Sequence, residues 1–213
     1  DAVAEAIAHG CNMILTHHPL LFSPLKTIKG DDFIGRRILK MIENGIALIA
    51  MHTNFDTAVM GEICAARLGL EVLGPLEVTG EEEAGPIGIG TISRPGQVMT
   101  LQALSEKVKT AYGLPQVRFY GDPGLCCQKV AMCPGSGKGM DREALLAGCD
   151  VYITGDIDHH YALDCLEKGL ALIDAGHHGL EHIFTDYMTD RLQRTCPQLK
   201  VCAQAYRSPF KVV

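Results

Sequence analysis

Two short sequence patterns occur twice along the chain, in the same order. Residues 8–16 read AHGCNMILT and residues 146–154 read LAGCDVYIT. Further along, residues 42–49 read IENGIALI and residues 166–173 read LEKGLALI. In each segment the end of a helical run is followed by a glycine, where helices commonly stop, and then by an apolar run typical of a strand. The recurrence favours an internal duplication over chance similarity between α/β units.

Along the whole chain, short runs of Ile, Val and Leu alternate with amphipathic stretches. This alternation predicts an α/β fold of two similar lobes, with mainly parallel sheets flanked by helices. The predicted strands are 13–16, 47–51, 87–92, 116–120, 129–133, 151–154, 171–173 and 200–203. The predicted helices are 2–9, 33–44, 59–68, 101–112, 142–147, 159–168 and 180–194. The acidic stretch between Gly74 and Gly85 predicts a linker that joins an N-terminal lobe, 1–75, to a C-terminal lobe, 85–213.

Composition and charge argue against several classes of protein. The 213 residues are 47% hydrophobic and 21% charged, which is typical of soluble globular proteins. The net charge is -6 and no run of Lys and Arg is dense enough to indicate a nucleic-acid or lipid surface. The sequence also lacks the ~18 consecutive apolar residues of a membrane span and the pattern of a secretory signal.

The cysteines and the first residues bear on where the protein works. Nine cysteines at irregular spacing predict reduced thiols in a cytoplasmic protein rather than a disulfide framework. Residues 1–9 form a helical pattern that is already under way at Asp1, so we expect further residues upstream in the natural protein.

Histidines and carboxylates follow three of the predicted strands, at the point where each strand ends. They are His17 and His18 after 13–16, His52 and Asp56 after 47–51, and His177, His178 and Glu181 after 171–173. One histidine and one carboxylate in each predicted lobe share the spacing His-x-x-x-carboxylate. Open α/β sheets bind their ligands beyond the carboxyl ends of the strands. The pattern therefore predicts a site at the mouth of the fold, between the two lobes.

Six of these residues predict a dinuclear metal site: His17, His18, His52, Asp56, His177 and Glu181. Imidazole and carboxylate ligands without thiolate favour Zn, Fe, Mn, Co or Ni. Six ligands exceed the four of a closed tetrahedral site, so we expect two divalent transition-metal ions per chain that share a bridging carboxylate. Ions in such pairs lie about 3.5–4 Å apart.

Several neighbouring residues have two interpretations. His178 either assists the site or is a surface residue. His160, with His159, either serves the cavity as a catalytic proton shuttle or is exposed at a helix start. Asp156 either orients a ligand histidine or caps the following helix, and the cap is the preferred interpretation.

A glycine-containing segment, Pro134–Gly139, lies between a predicted strand and a predicted helix. It lacks the GxxxxGK[ST] spacing of a nucleotide triphosphatase. Such a loop either binds an anion through its backbone N–H groups or forms a tight turn.

Four motifs together resemble the Nif-three-like family of dinuclear metal-centre proteins, whose bacterial members are commonly labelled GTP cyclohydrolase I type 2 homologues. They are THHPLLF at 16–22, HTNFDTA at 52–58, ITGD at 153–156 and GHH-x-x-E at 176–181. The resemblance covers nearly the whole chain. It implies that the same six residues are the metal ligands, that the protein is the short, two-lobed form, and that it assembles as a homohexamer with metal sites facing an internal cavity.

One motif departs from the family pattern. The family's Gly-Gly-Val-Asn after the second motif is replaced by Val59-Met60-Gly61-Glu62-Ile63, so a helix start near the site is expected to differ.

The predicted set of six metal ligands indicates a metal-dependent hydrolase that acts on a small molecule. The family label implies GTP ring opening, but no residue pattern identifies a guanine or triphosphate site. The alternative is a non-catalytic protein that stores or delivers metal, or a regulatory scaffold.

Overall fold

The computed structural model describes residues 1–83, 85–208 and 210–211 and confirms the α/β fold class. Ala84 of the predicted linker and residues 209, 212 and 213 of the predicted C-terminal lobe lie outside the described residues. The helices are α1 Ala2–Ala8, α2 Phe33–Glu43, α3 Thr53–Phe55, α4 Gly61–Arg67, α5 Leu101–Ala111, α6 Asp141–Leu146, α7 His159–Glu167, α8 His177–Glu181 and α9 Ile183–Thr195. The strands are β1 Met13–Thr16, β2 Ala47–Ala50, β3 Leu70–Gly74, β4 Glu77–Glu82, β5 Gly85–Ile89, β6 Thr91–Pro95, β7 Met99–Thr100, β8 Arg118–Tyr120, β9 Cys126–Cys127, β10 Val130–Met132, β11 Val151–Thr154 and β12 Ala171–Asp174.

The chain forms two compact units, and the first comprises Asp1–Phe55 and Thr185–Ala205. In this unit β1 and β2 pair in parallel, with Met13 opposite Ala47 and Thr16 opposite Ala50. Helices α1 and α2 are capped by Asp1 and Asp32, whose carboxylates accept hydrogen bonds from the first turn of each helix. A small apolar core joins the helices to the strands: Val3, Ala6, Ile14, Met41 and Ile46.

The second unit comprises Asp56–Phe184 and Tyr206–Val213 and contains a six-stranded sheet of order β3-β6-β10-β11-β12-β8. The central strands β10, β11 and β12 are parallel, and the outer strands β3, β6 and β8 run antiparallel to their neighbours. The sheet is therefore mixed, which refines the expectation of mainly parallel pairing. All residues of the three central strands are buried, as continuous apolar runs in a covered sheet require.

The two parallel pairs β1–β2 and β11–β12 have the same register and the same flanking hydrogen bonds. In both pairs the last residue of the first strand is a threonine, opposite Ala50 in one pair and Asp174 in the other. The matching backbone bonds are Ala47 N to Asn12 O and Met51 N to Thr16 O, and Ala171 N to Asp150 O and Ala175 N to Thr154 O. The agreement is what an internal duplication predicts, and the duplication itself stays a prediction.

Three expectations about elements were wrong. The predicted linker forms β4, which pairs antiparallel with β5, and the strand predicted at 87–92 is two strands that break at Gly90. Gly90 has a φ of 67°, which interrupts a strand. Residues 200–203, all described, form no strand. The change from one compact unit to the other falls at Phe55–Asp56 and within α9. The division into lobes at 1–75 and 85–213 stays a prediction.

Within the described ranges, no helix combines the length and the apolar character that crossing a membrane requires.

Candidate metal centre

Three histidines of the first unit meet where β1 and β2 end. Because Thr16 lies opposite Ala50 in a parallel pair, the chain leaves both strands at the same edge. The ring of His17 lies 4.8 Å from that of His18 and 5.1 Å from that of His52, measured between centroids. One nitrogen from each of the three rings lies within 4.8 Å of the others. The predicted ligands of this unit are therefore brought together.

His17 is held in one tautomer. Its Nδ1 lies 2.9 Å from the main-chain oxygen of Met51. A carbonyl oxygen only accepts, so Nδ1 carries the proton and the neutral ring has its lone pair on Nε2. His17 is 7% exposed, and Nε2 is buried. Metal-binding histidines are commonly oriented in this way, with the second nitrogen donating to a carbonyl group.

In the second unit, His177 lies between two carboxylates at the start of α8. Its Nδ1 is 2.8 Å from Asp156 Oδ2 and its Nε2 is 3.0 Å from Glu181 Oε2. The hydrogen bond to Glu181 is the largest cause that raises the pKa of His177, to about 9, and the bond to Asp156 adds to it against the opposing effect of burial. The negative potential at Nε2 favours a cation there, either a proton or a metal ion.

Asp156 orients His177 and does not cap the following helix. The cap of α7 is Asp158, whose side chain accepts a hydrogen bond from Tyr161 N. The preference for a cap at Asp156 was therefore wrong. Among the described residues other than glycine, Asp156 alone has a positive φ, of 58°. Strained backbone of this kind is concentrated at functional sites, and here it points the carboxylate toward the imidazole.

The segment 174–176, just before His177, is fixed by a residue that the sequence analysis missed. Asp174 is 5% exposed; its Oδ1 accepts a hydrogen bond from Gly176 N, and its Oδ2 accepts one from Arg118 at 2.5 Å. The sequence feature that could have identified Asp174 is a carboxylate at the end of an otherwise apolar strand.

Asp56 begins a π-helical turn, Asp56–Met60, that precedes α4. Such turns occur frequently at functional sites. The altered motif at 59–63 places the helix start at Gly61, where a Cβ atom would lie 2.8 Å from Thr91 Cγ2. A cavity of about 120 Å³ borders Asp56 and is also lined by Glu62 and Pro75.

Three further histidines, at positions 159, 160 and 178, lie outside these arrangements. His159 and His160 are exposed as the first two residues of α7. His178 is exposed and stacks on Tyr206, with 5.0 Å between centroids. Exposure is what the surface interpretation of these histidines expects. The role of His160 as a catalytic proton shuttle stays a prediction.

The residues of each unit fit a metal ion. Metal–nitrogen bonds of about 2.0–2.1 Å hold the ligand nitrogens of one ion within ~4.2 Å of one another. The three nitrogens in the first unit lie within 4.8 Å of one another, which is close to that spacing. In the second unit, Nε2 of His177 and Oε2 of Glu181 already have the spacing of two neighbouring ligands.

Comparison with known proteins identifies the family of the chain. A family model described as Duf34/NIF3 (NGG1p interacting factor 3) matches residues 1–209. Two relatives, each named "GTP cyclohydrolase 1 type 2 homolog", are 35% identical. The one from Clostridium acetobutylicum aligns over 91% of this chain and 72% of its own length, and the one from Lactococcus lactis over 99% and 80%.

Solved structures agree with the sequence comparison. A Bacillus cereus protein related to NIF3 has a TM-score of 0.89 at 25% identity and covers 99% of this chain and 86% of its own. A hypothetical protein from Staphylococcus aureus has a TM-score of 0.87 at 27% identity, with 99% and 83% covered. The chain therefore belongs to the Duf34/NIF3 family.

Proposed function

We propose that the protein binds two divalent transition-metal ions per chain and uses them as a hydrolase. The proposed ligands are His17, His18, His52, Asp56, His177 and Glu181. When bound, the ions would polarise a substrate oxygen and supply a water nucleophile near neutral pH. The substrate class is a small molecule with a carbonyl, formamidine-like or phosphoryl centre.

The cluster of His17, His18 and His52 is the observation that carries the proposal. Three imidazoles whose nitrogens lie within 4.8 Å of one another would repel each other if protonated, and their proximity is explained by a shared cation. The bond between His17 and Met51 fixes the tautomer that coordination needs. The donor set contains no thiolate, which favours Zn, Fe, Mn, Co or Ni.

The residues of the chain have separate tasks in this proposal. His17 presents Nε2 from a buried position, with its ring orientation set by Met51. Asp156 holds His177 so that Nε2 faces Glu181. The carboxylates of Asp56 and Glu181 reduce the net charge of two divalent ions, which a set of neutral imidazoles alone would not do.

A cobalt titration tests the metal part of the proposal. Co²⁺ added to the metal-free protein should produce d–d absorption bands that stop increasing at about two equivalents per chain. The Co²⁺ and Zn²⁺ forms would then be incubated with nucleotides and with small amides and esters. Hydrolysis that disappears in Glu181→Ala supports the enzyme. Glu106→Ala, which removes an exposed carboxylate from α5, is the control.

The rival function is storage or delivery of metal, or a regulatory scaffold, without turnover. A catalytic centre keeps a coordination position for substrate, whereas a storage site need not. Azide or fluoride should shift the Co²⁺ bands of an enzyme because the anion enters that position. Unchanged bands together with no hydrolysis of any compound would favour storage.

The names of the relatives suggest where a substrate search begins. Both curated relatives carry the name "GTP cyclohydrolase 1 type 2 homolog", so GTP is the first nucleotide to test. No aromatic platform of Trp is available, since the chain contains none. The specific activity on GTP is therefore a narrower proposal than the hydrolase class.

We also propose a cytoplasmic homohexamer. All nine cysteines are free thiols, as a reducing compartment favours. Large apolar side chains such as Phe22 and Ile42 are 75% and 68% exposed, which fits contact with further copies of the chain. Light scattering during gel filtration tests the assembly, and a monomeric mass of 23.0 kDa would contradict it.

A further inference from the structure

The segment Pro134–Gly139, here called the glycine loop, connects β10 to α6. Three of its hydrogen-bond donors are directed to other groups of the protein. Gly137 N donates to Thr154 Oγ1 at 3.0 Å, and Gly139 N donates to the Tyr161 hydroxyl at 3.4 Å. Lys138 Nζ donates to Asp158 Oδ2 at 2.5 Å. These bonds disfavour an anion cradle, because donors that would hold a phosphate already serve the fold.

The end of β11 fixes the loop at several points. The Tyr152 hydroxyl donates to Gly137 O at 2.8 Å, and Gly155 N donates to Gly135 O at 2.9 Å. Tyr152, Thr154 and Gly155 are buried. A buried and fully bonded anchor of this kind holds the backbone of the loop in one conformation.

The fixed loop places Gly135 directly against Glu181. A Cβ atom on Gly135 would lie 2.2 Å from Glu181 Oε1 and 3.1 Å from its Cδ. It would also lie 3.5 Å from His177 Nε2. Atoms do not approach a Cβ as closely as 2.2 Å, so the carboxylate occupies the space that any side chain at position 135 would need.

We propose that Gly135 is a positioning residue for Glu181 and that the glycine loop is a backbone wall of the metal site. The wall lies against Oε1 on one side of the carboxylate, while the other oxygen, Oε2, lies 3.0 Å from His177 Nε2. Glu181 therefore loses less rotamer freedom when it binds an ion, and the site is preorganised. The inference rests on the proposed function, because it requires Glu181 to be a metal ligand.

Backbone strain is the competing explanation for any effect of a substitution here. Gly135 has a φ of 77°, so an alanine is strained whatever it touches. Gly139 offers a matched control, because its φ is 101° in the same loop and no heavy atom lies within 4 Å of the place that a Cβ would occupy there. Alanine at 139 carries the strain without the contact to Glu181.

The test compares Co²⁺ binding by the wild-type chain, Gly135→Ala and Gly139→Ala, by affinity and by the d–d spectrum. Gly135→Ala should weaken the binding of one ion by at least ~10-fold and change its bands, as loss of ligand orientation does. Gly139→Ala should stay within ~2-fold, with a comparable fall in melting temperature. Gly135→Ala combined with Glu181→Asp should recover part of the affinity, because aspartate is shorter by one bond of about 1.5 Å.

Each outcome has a distinct meaning. Wild-type affinity and bands in Gly135→Ala would overturn the inference alone, and so would equal losses in the two glycine variants. A wild-type chain that takes up no metal would overturn the proposed function and the inference with it. Should Gly135→Ala not fold, Thr154→Val replaces it, because that change releases the loop without adding atoms at 135. Its affinity should fall several-fold, and an unchanged affinity would overturn the inference.

Discussion

His17 donates its Nδ1–H to the main-chain oxygen of Met51 at 2.9 Å, so the histidine after β1 is fixed by the residue that follows β2. The bond links the two parallel strands just beyond their ends. It gives His17 a structural role in addition to its proposed role as a ligand. The exposed His18, next in the chain, has the proposed ligand role without this buried bond.

Alanine substitutions separate these two roles. In the metal-free protein, His17→Ala should lower the free energy of unfolding by about 1–3 kcal/mol, because it leaves a carbonyl unsatisfied and opens space in a buried position. His18→Ala should change it by less than ~0.5 kcal/mol. Both should lose metal. Urea unfolding measures the first difference, and equal stabilities of the two variants would contradict the structural role of His17.

The carboxylates Asp56 and Glu181 should each be required for full metal content. Replacing either one by alanine should remove at least one ion per chain, because the remaining ligands are neutral imidazoles and one carboxylate. Glu106→Ala, which removes an exposed carboxylate from α5, should keep the wild-type content. Elemental analysis measures all three variants. A full complement of metal in Asp56→Ala and Glu181→Ala would refute the assignment of these ligands.

Asp156 should influence metal affinity without being a ligand. Asp156→Asn keeps the size of the side chain and tolerates the positive φ, but it removes the charge that supports His177. Affinity should fall about 10–100-fold, as for other residues that orient a metal-binding histidine. Asp158→Asn is the control, since asparagine caps a helix nearly as well as aspartate. Equal affinities in the two variants would count against the orienting role.

The stability of the metal-free protein should depend on His177 through pH. The pKa of this histidine is raised from 6.5 to about 9 in the folded protein, first by Glu181 and then by Asp156. Protonation therefore stabilises the folded state, fully below pH 6.5, and the effect disappears as the pH rises through about 9. The free energy of unfolding in urea should be higher for the wild type than for His177→Gln, and this difference should shrink between pH 6.5 and about 9. A difference that stays constant with pH would contradict the proposed effect of His177 protonation.

The sequence predicted the strands that lead into the candidate site better than it predicted the residues that support the site's histidines. Histidines after Thr16 and Met51 can be recognised because a strand of apolar residues ends just before them. Glycine carries no chemical signature, so the approach of Gly135 to Glu181 becomes visible only when β10 and α8 are in place. The role of Asp156 depends on a φ of 58°, which no local pattern indicates.

The β4–β5 hairpin shows the other limit of sequence analysis. The stretch Glu77–Glu82 is acidic and contains Gly80, a composition typical of linkers. It forms a strand because β5 pairs with it, with Glu77 opposite Ile89 and Glu82 opposite Gly85. Pairing between neighbouring segments overrode the weak intrinsic preference of these residues, as is common for strands.

The central claim is that the chain holds two transition-metal ions. The most direct test is elemental analysis of protein purified without added metal or chelator, with the ions counted per chain. The account predicts about two ions of Zn, Fe, Mn, Co or Ni per chain, and the same number after metal removal and reconstitution. Zero or one ion per chain, with no increase on reconstitution, would contradict it.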